Sequence, residues 1–573
     1  MRILTVLIAL CLLSLLLLGF FHPITDMTQD LGRHLLTGKL ILATHHVPTT
    51  NLFSYTHPAF PFLDHHWLSQ VLFFLIFSVT GFSGLFFLKL IVIGVLFSLL
   101  LFLSLKRASL YAVIFVSILS FPVLFERTDI RPELFSFLFL TITVSLLYSY
   151  RRKKTSLILL LIPIEALWIN MHIYFIVGIG LFGLFVLDEL VIYRKKLRNS
   201  HTFFLLLVFI LTCIALLFNP RGLTAILYPF TVLSHYGYSI EENQTIFFLQ
   251  NYYFRWSIFF FELITALGFI SFCITHRKRR LIDWLLILSF AYLGASAVRN
   301  MPLFILALFL PFTESFTDNF KALADHFKHK PLIFPLYFSL LSCLLGIFVF
   351  GQAVQKGTGD TVSPGAERGV DFLIDNQITG RIFNNFDIGS YLIYRLYPEE
   401  RVFVDGRPEA YPVSFFQQTY IPMQENPQLF TKVVDKYHIS VVFFSYTDQT
   451  PWATMFLENI KQNHDWEPVY LDDYVIIYLK KTPANQPILS RFGMAPETLR
   501  ATLPSKPTEQ QLLQLAYFFD KTGETNQAAT TYQRLLIIDP ASCPALNRLA
   551  TLFNGKNQIL AALYSQKAEA ACQ

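Results

Sequence analysis

Residues 22–67 read HPITDMTQDLGRHLLTGKLILATHHVPTTNLFSYTHPAFPFLDHHW, a polar island between two long apolar runs. The island holds three aspartates (Asp26, Asp30 and Asp64) and seven of the chain's fifteen histidines. Before it stands MRILTVLIALCLLSLLLLGFF, one Arg followed by an apolar stretch too long for a signal-peptide core. No small-x-small cleavage site precedes His22, so the stretch reads as a retained first membrane helix. A polar loop hung from that helix can keep acids and bases in water at a membrane surface.

The rest of the chain fits this setting. It is 54% hydrophobic and 15% charged, with 60 Phe among 573 residues and a mean hydropathy of +0.49; a soluble domain carries about 25% charge. The net charge of +6 is gathered in clusters between apolar runs. It therefore speaks to membrane orientation, and no nucleic-acid partner is indicated. Six Cys are scattered without a CxxC, which indicates neither a zinc ribbon nor a disulfide framework.

Apolar runs fall near 3–21, 69–105, 109–125, 133–150, 155–169, 172–193, 202–218, 256–275, 281–298, 301–313 and 332–353. The second is long enough for one crossing or two, and the positive-inside rule decides between them. Counted once, with Arg2 inside, it puts the Lys/Arg clusters at 106–107, 151–154, 194–198, 277–280 and 321–330 on one side. The expectation is about 11 transmembrane helices, the N-terminus cytoplasmic and the C-terminal domains extracytoplasmic. The surplus of the second run lies along the outer surface. Residues 22–68, 126–133, 170–172, 219–255 and 299–300 then share the outer face.

The composition turns soluble after Phe350. The expected organisation is a transmembrane domain over 1–353, a linker over 354–365, an α/β domain over 366–481, a second linker over 482–506, and tetratricopeptide-like repeats over 507–573. RIFNNF, RVFVDG, SVVFFSY, EPVYL and YVIIYL read as strands, and GVDFLIDN, QLFTKVVDKY and ATMFLENIKQ as helices. In the tail, LAYFF from Leu515 aligns with LATLF from Leu549 at an offset of 34 residues, which also pairs Ala528 with Ala562. That period is the tetratricopeptide one, and it predicts both alanines at tight helix crossings.

Several constellations can carry chemistry. Asp30, Arg33 and His34 are spaced to share a helical face; the bland alternative is an Asp capping a surface helix that ends at Gly38. In DHHWL, His65 and His66 suit a phosphate or a divalent cation, although no ligand spacing requires a metal, and Trp67 suits an interface anchor. ERTDIRPE offers Glu126 and Asp129 as acids and Arg131 as a fork for phosphate oxygens; its bland reading is a self-neutralised ion-pair loop. Arg221 and Arg299 sit at outer helix ends, where they can join a cavity or merely cap. The DGR turn at 405–407 reads as a simple turn.

DLGRHLLTGKLI, VPTTNLFSYT, HHWLSQ, RPELFSF, NPRG, RNMPL and GRIFNNFDIGSYLIYRLYPEERVFVDGR, taken together, resemble bacterial polytopic membrane glycosyltransferases of the GT-C fold. These are relatives of protein O-mannosyltransferases, lipid A aminoarabinose transferases and oligosaccharyltransferases. The resemblance covers roughly residues 20–415. It implies transfer of a sugar from a polyprenyl-phosphate donor to an envelope acceptor on the outer face of the bacterial cytoplasmic membrane, with Asp30 as the base. Glu126 and Asp129 would be secondary acids; Arg33, His34, His65, His66, Arg131, Arg221 and Arg299 would bind substrate. The family pattern has an aromatic where Arg33 stands and an acid where His66 stands. The rival expectation is a non-catalytic membrane scaffold whose repeats bind a protein partner.

Overall fold

In the computed structural model the described residues are 2–25, 27–192, 200–232, 236–326, 333–355, 365–495 and 499–572, with 357, 359 and 362. Asp26, the basic cluster at 194–198, residues 327–332 and much of the 354–365 linker lie outside them.

Among the described residues six helices are long and apolar enough to cross a membrane: Ile3–Phe20, Trp67–Leu105, Glu133–Lys153, Phe175–Ile192, Trp256–Ile274 and Val298–Leu323. Shorter apolar helices include Leu110–Leu124, Ser156–Met171, His201–Ala215, Leu281–Ser296 and Ser339–Gln355. Large apolar side chains such as Val79, Ile91, Phe102 and Phe203 point outward and are exposed, as helices facing hydrocarbon require.

The second apolar run is one helix, Trp67–Leu105, broken at Gly81 by a φ of 66°, a conformation glycine adopts without steric cost. The arm before the break packs on helix Gly32–Thr44. Residues 82–105 reach about 36 Å at 1.5 Å per residue, enough for one crossing. Helix Gly32–Thr44 does not end at Gly38. It runs on to a left-handed His45, because Gly38 lies against the neighbouring backbone: a Cβ there would sit 2.1 Å from the Gln70 carbonyl oxygen.

Ion pairs tie two of the basic clusters, 151–154 and 277–280, to neighbouring helices at one end of the bundle. Arg151 meets Asp283 at 3.3 Å, Arg152 meets Glu314 at 2.7 Å, Lys154 meets Glu189 at 2.9 Å and Lys278 meets Asp318 at 2.7 Å. Arg107 faces Arg152 and Glu314 at the same end. The first loop and residues 126–133 occupy the other end.

Beyond the bundle a four-stranded sheet has the order β1-β2-β4-β3, with β1 Arg381–Asn384, β2 Ile439–Ser445, β3 Trp466–Leu471 and β4 Val475–Lys480. β1 and β2 are parallel and the other pairs antiparallel. The segment RVFVDG, expected as a strand, is not in this sheet. Val402 instead bridges Ser54 of the first loop, with Val402 N donating to Phe53 O at 3.1 Å and Tyr55 N to Val402 O at 3.2 Å. An extended hydrophobic segment pairs with whichever edge the tertiary fold presents, and here that edge belongs to the membrane domain. Residues 482–506 likewise do more than link: helix Gln486–Phe492 packs on β3, and Thr502 N donates to Leu471 O at 2.7 Å.

The tail forms two helical hairpins, Glu509–Lys521 with Thr525–Ile538, then Cys543–Phe553 with Gln558–Ala571. Cys543 and Cys572 are disulfide-bonded, with Cα atoms 5.6 Å apart. The sequence gives no sign of this because 29 residues separate the pair; the hairpin brings its own two ends together. The 34-residue register holds at one alanine and not the other. Ala528 is buried, whereas Ala562 is exposed, because among the described residues no helix covers that face. Ala528→Leu is therefore expected to overpack its crossing by about 1–3 kcal/mol, and Ala562→Leu to change stability by no more than about 0.5 kcal/mol. Thermal melting of the full chain in detergent checks this, and equal shifts for the two variants would show that the register is misread.

Candidate active site

Asp30 is the penultimate residue of a short π-helical turn, Met27–Leu31, that runs directly into helix Gly32–Thr44. It caps nothing. Its carboxylate accepts from Arg33 Nη2 at 2.8 Å and lies 3.3 Å from Arg131 Nη1. Arg131 also meets Glu242 at 3.0 Å and donates to Gln29 Oε1 at 2.9 Å. Arg127 pairs with Glu133 at 2.5 Å and with Glu242, while Arg299 lies 3.8 Å from Glu242. The ERTDIRPE segment is thus ion-paired, but chiefly to other loops rather than to itself.

These groups wall a cavity of about 100 Å³, together with His34, His65, His66 and His172. A second cavity of about 610 Å³ adjoins it and shares Asp30, Arg127, Arg131, Glu242 and Gly406; Asp387 and Asp448 lie on its far wall. Seven of the residues expected from sequence (Asp30, Arg33, His34, His65, His66, Arg131 and Arg299) meet at the smaller cavity. Glu126 lines the larger one, held by Arg255 at 2.7 Å and Ser257 at 2.5 Å. Asp129 and Arg221 line neither. Asp129 accepts from Thr25 at 2.5 Å, and Arg221 is turned toward the Phe62 carbonyl at 3.4 Å.

The charge state follows from burial and neighbours. Burial pushes the Asp30 carboxyl up, but Arg131 and Arg33 outweigh it and hold the group below the usual carboxylate range. Glu242 is likewise raised by burial and lowered further by Arg127, Arg131 and Arg299, with a net fall. Burial depresses the histidines: His34, His66 and His172 lie well below the ordinary value, and His65 falls to about 3. Their rings lie close together, His65 tilted against His66 at 3.8 Å and His66 stacked on His172 at 5.2 Å. They are neutral hydrogen-bonding groups here, and the positive charge comes from arginine alone.

Four guanidiniums (Arg33, Arg127, Arg131 and Arg299) face three arginine-paired carboxylates (Asp30, Glu133 and Glu242) on this wall. The Nε–H groups of Arg33 and Arg299 are buried and have no acceptor among the described residues. Buried donors without acceptors are costly, and an anion with several oxygens would satisfy them. Of the carboxylates on this wall, Asp30, Glu133 and Glu242 are engaged by guanidiniums, which leaves a divalent cation only Glu409 as a carboxylate not paired with arginine. Among the described residues no group of three or more His, Cys, Asp or Glu is arranged to hold a metal. The donor set as built suits an anion.

The soluble domain completes the wall. Gly406, Pro408 and Glu409 line the smaller cavity, and a Cβ on Gly406 would come 3.1 Å from the Gln29 carbonyl oxygen. The segment is fastened to the first loop. Arg407 pairs with Asp405 at 2.7 Å and donates to Asn51 Oδ1 at 2.8 Å, while Asn51 Nδ2 donates to Ala410 O at 2.9 Å. Tyr411 OH donates to Asp405 Oδ2 at 2.8 Å. The simple-turn reading of DGR gives way to a buried clamp. Residues 170–172 and the 219–255 loop were already legible as outer-face segments, and His172 and Glu242 from them line the cavity; Glu409, inside RPEAY, carries no local mark and was not singled out.

No protein-family model and no curated protein matches the chain. Solved structures do. The Archaeoglobus fulgidus oligosaccharyltransferase AglB, in complex with an inhibitory peptide and a dolichol-phosphate, aligns over 93% of this chain and 86% of its own at 11% identity and a TM-score of 0.56. The same species' enzyme tethered to an acceptor peptide aligns over 83% and 74% at 13% identity, TM-score 0.52. ArnT from Cupriavidus metallidurans in the apo state aligns over 83% and 97% at 12% identity, TM-score 0.50. The chain has the fold of the GT-C membrane glycosyltransferases.

Proposed function

We propose that this chain is a multi-pass membrane glycosyltransferase. It moves a sugar from a polyprenyl-phosphate carrier to an envelope acceptor, protein, lipid or glycan, on the outer face of the membrane. The observation that carries this is the arginine-rich cavity at the junction of bundle and soluble domain, with two buried guanidinium donors that have no acceptor among the described residues. A phosphate there would be forked by Arg131 with Arg33 and Arg299 in support. The solved relative AglB was captured with dolichol-phosphate, a carrier of this chemical class. The larger cavity lies within the roughly 300–1,000 Å³ of small-molecule sites, and we assign it to the body of the acceptor, whose reacting hydroxyl would enter the smaller cavity past Asp30 and Gly406, which line both.

In this reading Asp30 faces the reacting sugar as a carboxylate that Arg131 and Arg33 hold ionised near neutrality. Being held below the usual range suits it to stabilise positive charge building at the anomeric carbon and makes it a poor proton acceptor near neutrality. Transfer from radiolabelled polyprenyl-phosphate sugars, offered as a panel to membranes containing the natural acceptor, tests the assignment. Absence of transfer from every donor would favour the scaffold reading, in which the terminal hairpins recruit a protein partner.

We also propose eleven crossings, with the C-terminal domains outside. The grouping of Arg107 with Arg152 at one end of the bundle supports a single crossing for 67–105. The Cys543–Cys572 disulfide suits an oxidising compartment. Reporter fusions after Lys154 and Arg280 are expected to score cytoplasmic and fusions after Gly365 external; an external score at Lys154 would overturn the topology.

A further inference from the structure

The carboxylates on the smaller cavity's wall divide into two kinds. Asp30, Glu133 and Glu242 are each paired with arginine. Glu409 is not: among the described residues no ion pair and no hydrogen bond from another residue engages its carboxyl, which takes only its own backbone N–H. Its position is nonetheless fixed, because the clamp of Asp405, Arg407, Tyr411 and Asn51 holds the segment on either side of it. Glu409 is half-buried and shares the cavity with Asp30 and Arg33.

We propose that Glu409 is the group that takes the acceptor's proton, so that the soluble domain supplies a catalytic residue to the membrane domain. This rests on the transferase reading above. The acceptor hydroxyl oxygen forms a bond to the anomeric carbon as the bond from that carbon to the phosphate oxygen breaks. The electron pair of the broken bond stays on the polyprenyl phosphate, which gains one negative charge. The hydroxyl proton passes to a Glu409 oxygen, neutralising that carboxylate, and later returns to water.

The environment of Glu409 fits the task. Burial lifts its carboxyl to about 7, with Arg33 and Arg407 partly opposing and Asp405 adding to the rise. Tyr228 and Tyr236 face it from the 223–240 segment. His65 and Arg299 stand on the same wall; His65 stays neutral and Arg299 charged throughout the working range. A base whose ionisation lies near the working pH is the efficient one. Because the unprotonated form is required, transfer should rise as pH climbs through about 7.

The test is the pH profile of single-turnover transfer in membranes, using the panel of radiolabelled polyprenyl-phosphate sugars. Glu409→Gln is expected to lower the rate about 10²–10⁴-fold and to abolish the acidic limb. Glu409→Asp should keep the limb at reduced rate, and Asp30→Asn should be slow yet keep the limb. Thermal melting of each variant in detergent separates lost chemistry from lost folding. A folded Glu409→Gln protein that keeps both the rate and the acidic limb overturns the inference and leaves the transferase reading standing. Absence of transfer by the wild type overturns both.

Discussion

Asp30→Asn is expected to cut sugar transfer about 10²–10³-fold, the usual loss when one preorganised electrostatic group is removed from a reacting centre. The substitution keeps size and polarity and removes the charge that faces the cavity between Arg33 and Arg131. Asp30 remains about one-fifth exposed, so folding and membrane insertion should survive. Arg131→Ala should act on a different quantity. It deletes a charge-assisted contact worth about 1.5–3 kcal/mol, which appears as roughly a 10–150-fold rise in donor KM with a smaller effect at saturation. Single-turnover and steady-state transfer, measured on both variants in the same membranes, separate the two roles. Unchanged turnover in Asp30→Asn would remove Asp30 from the mechanism, and an unchanged donor KM in Arg131→Ala would remove the phosphate assignment.

Arg407→Ala is expected to cost about 3–5 kcal/mol, the penalty for stranding the partner of a buried ion pair. Asp405 is fully buried and Arg407 is 3% exposed. The guanidinium lies over the Phe62 ring at 4.8 Å and the Phe53 ring at 5.2 Å, so its loss also opens the contact between first loop and soluble domain. Detergent melting should show the drop, and limited proteolysis should release the soluble domain more readily. The double variant Asp405→Asn with Arg407→Met should recover part of the loss, because no charge is left unpaired in the interior. A single variant that melts like the wild type would mean the clamp does not hold the two domains together.

Length, hydropathy and charge placement are one-dimensional properties, and they determined much of this protein. Apolar runs of spanning length, a polar loop after the first of them and basic clusters in alternate connections follow from what a bilayer requires of a chain. The local strands and helices of the soluble domain were equally legible, because β2 and helices such as Pro427–Tyr437 carry their own periodicity. Asp30, Arg33 and Arg131, which line one cavity, were legible as candidates too, since each lies in a charged segment interrupting hydrocarbon-like sequence.

Only the tertiary structure decided which of those segments meet. Val402 looked like a sheet strand by composition, yet an extended edge carries no record of its partner, and the partner is Ser54 in a loop 348 residues earlier. Asp405 and Arg407 looked like a turn because their spacing is local, while Asn51 and Tyr411 make them a clamp. Glu409 could not be singled out at all: a lone Glu between Pro and Ala has no pattern. Its distinction lies in sharing a buried wall with Asp30 and Arg33 while lacking a guanidinium of its own. Burial and the positions of neighbouring charges set the chemistry of a carboxyl, and both are properties of the folded chain in three dimensions rather than of the order of its residues.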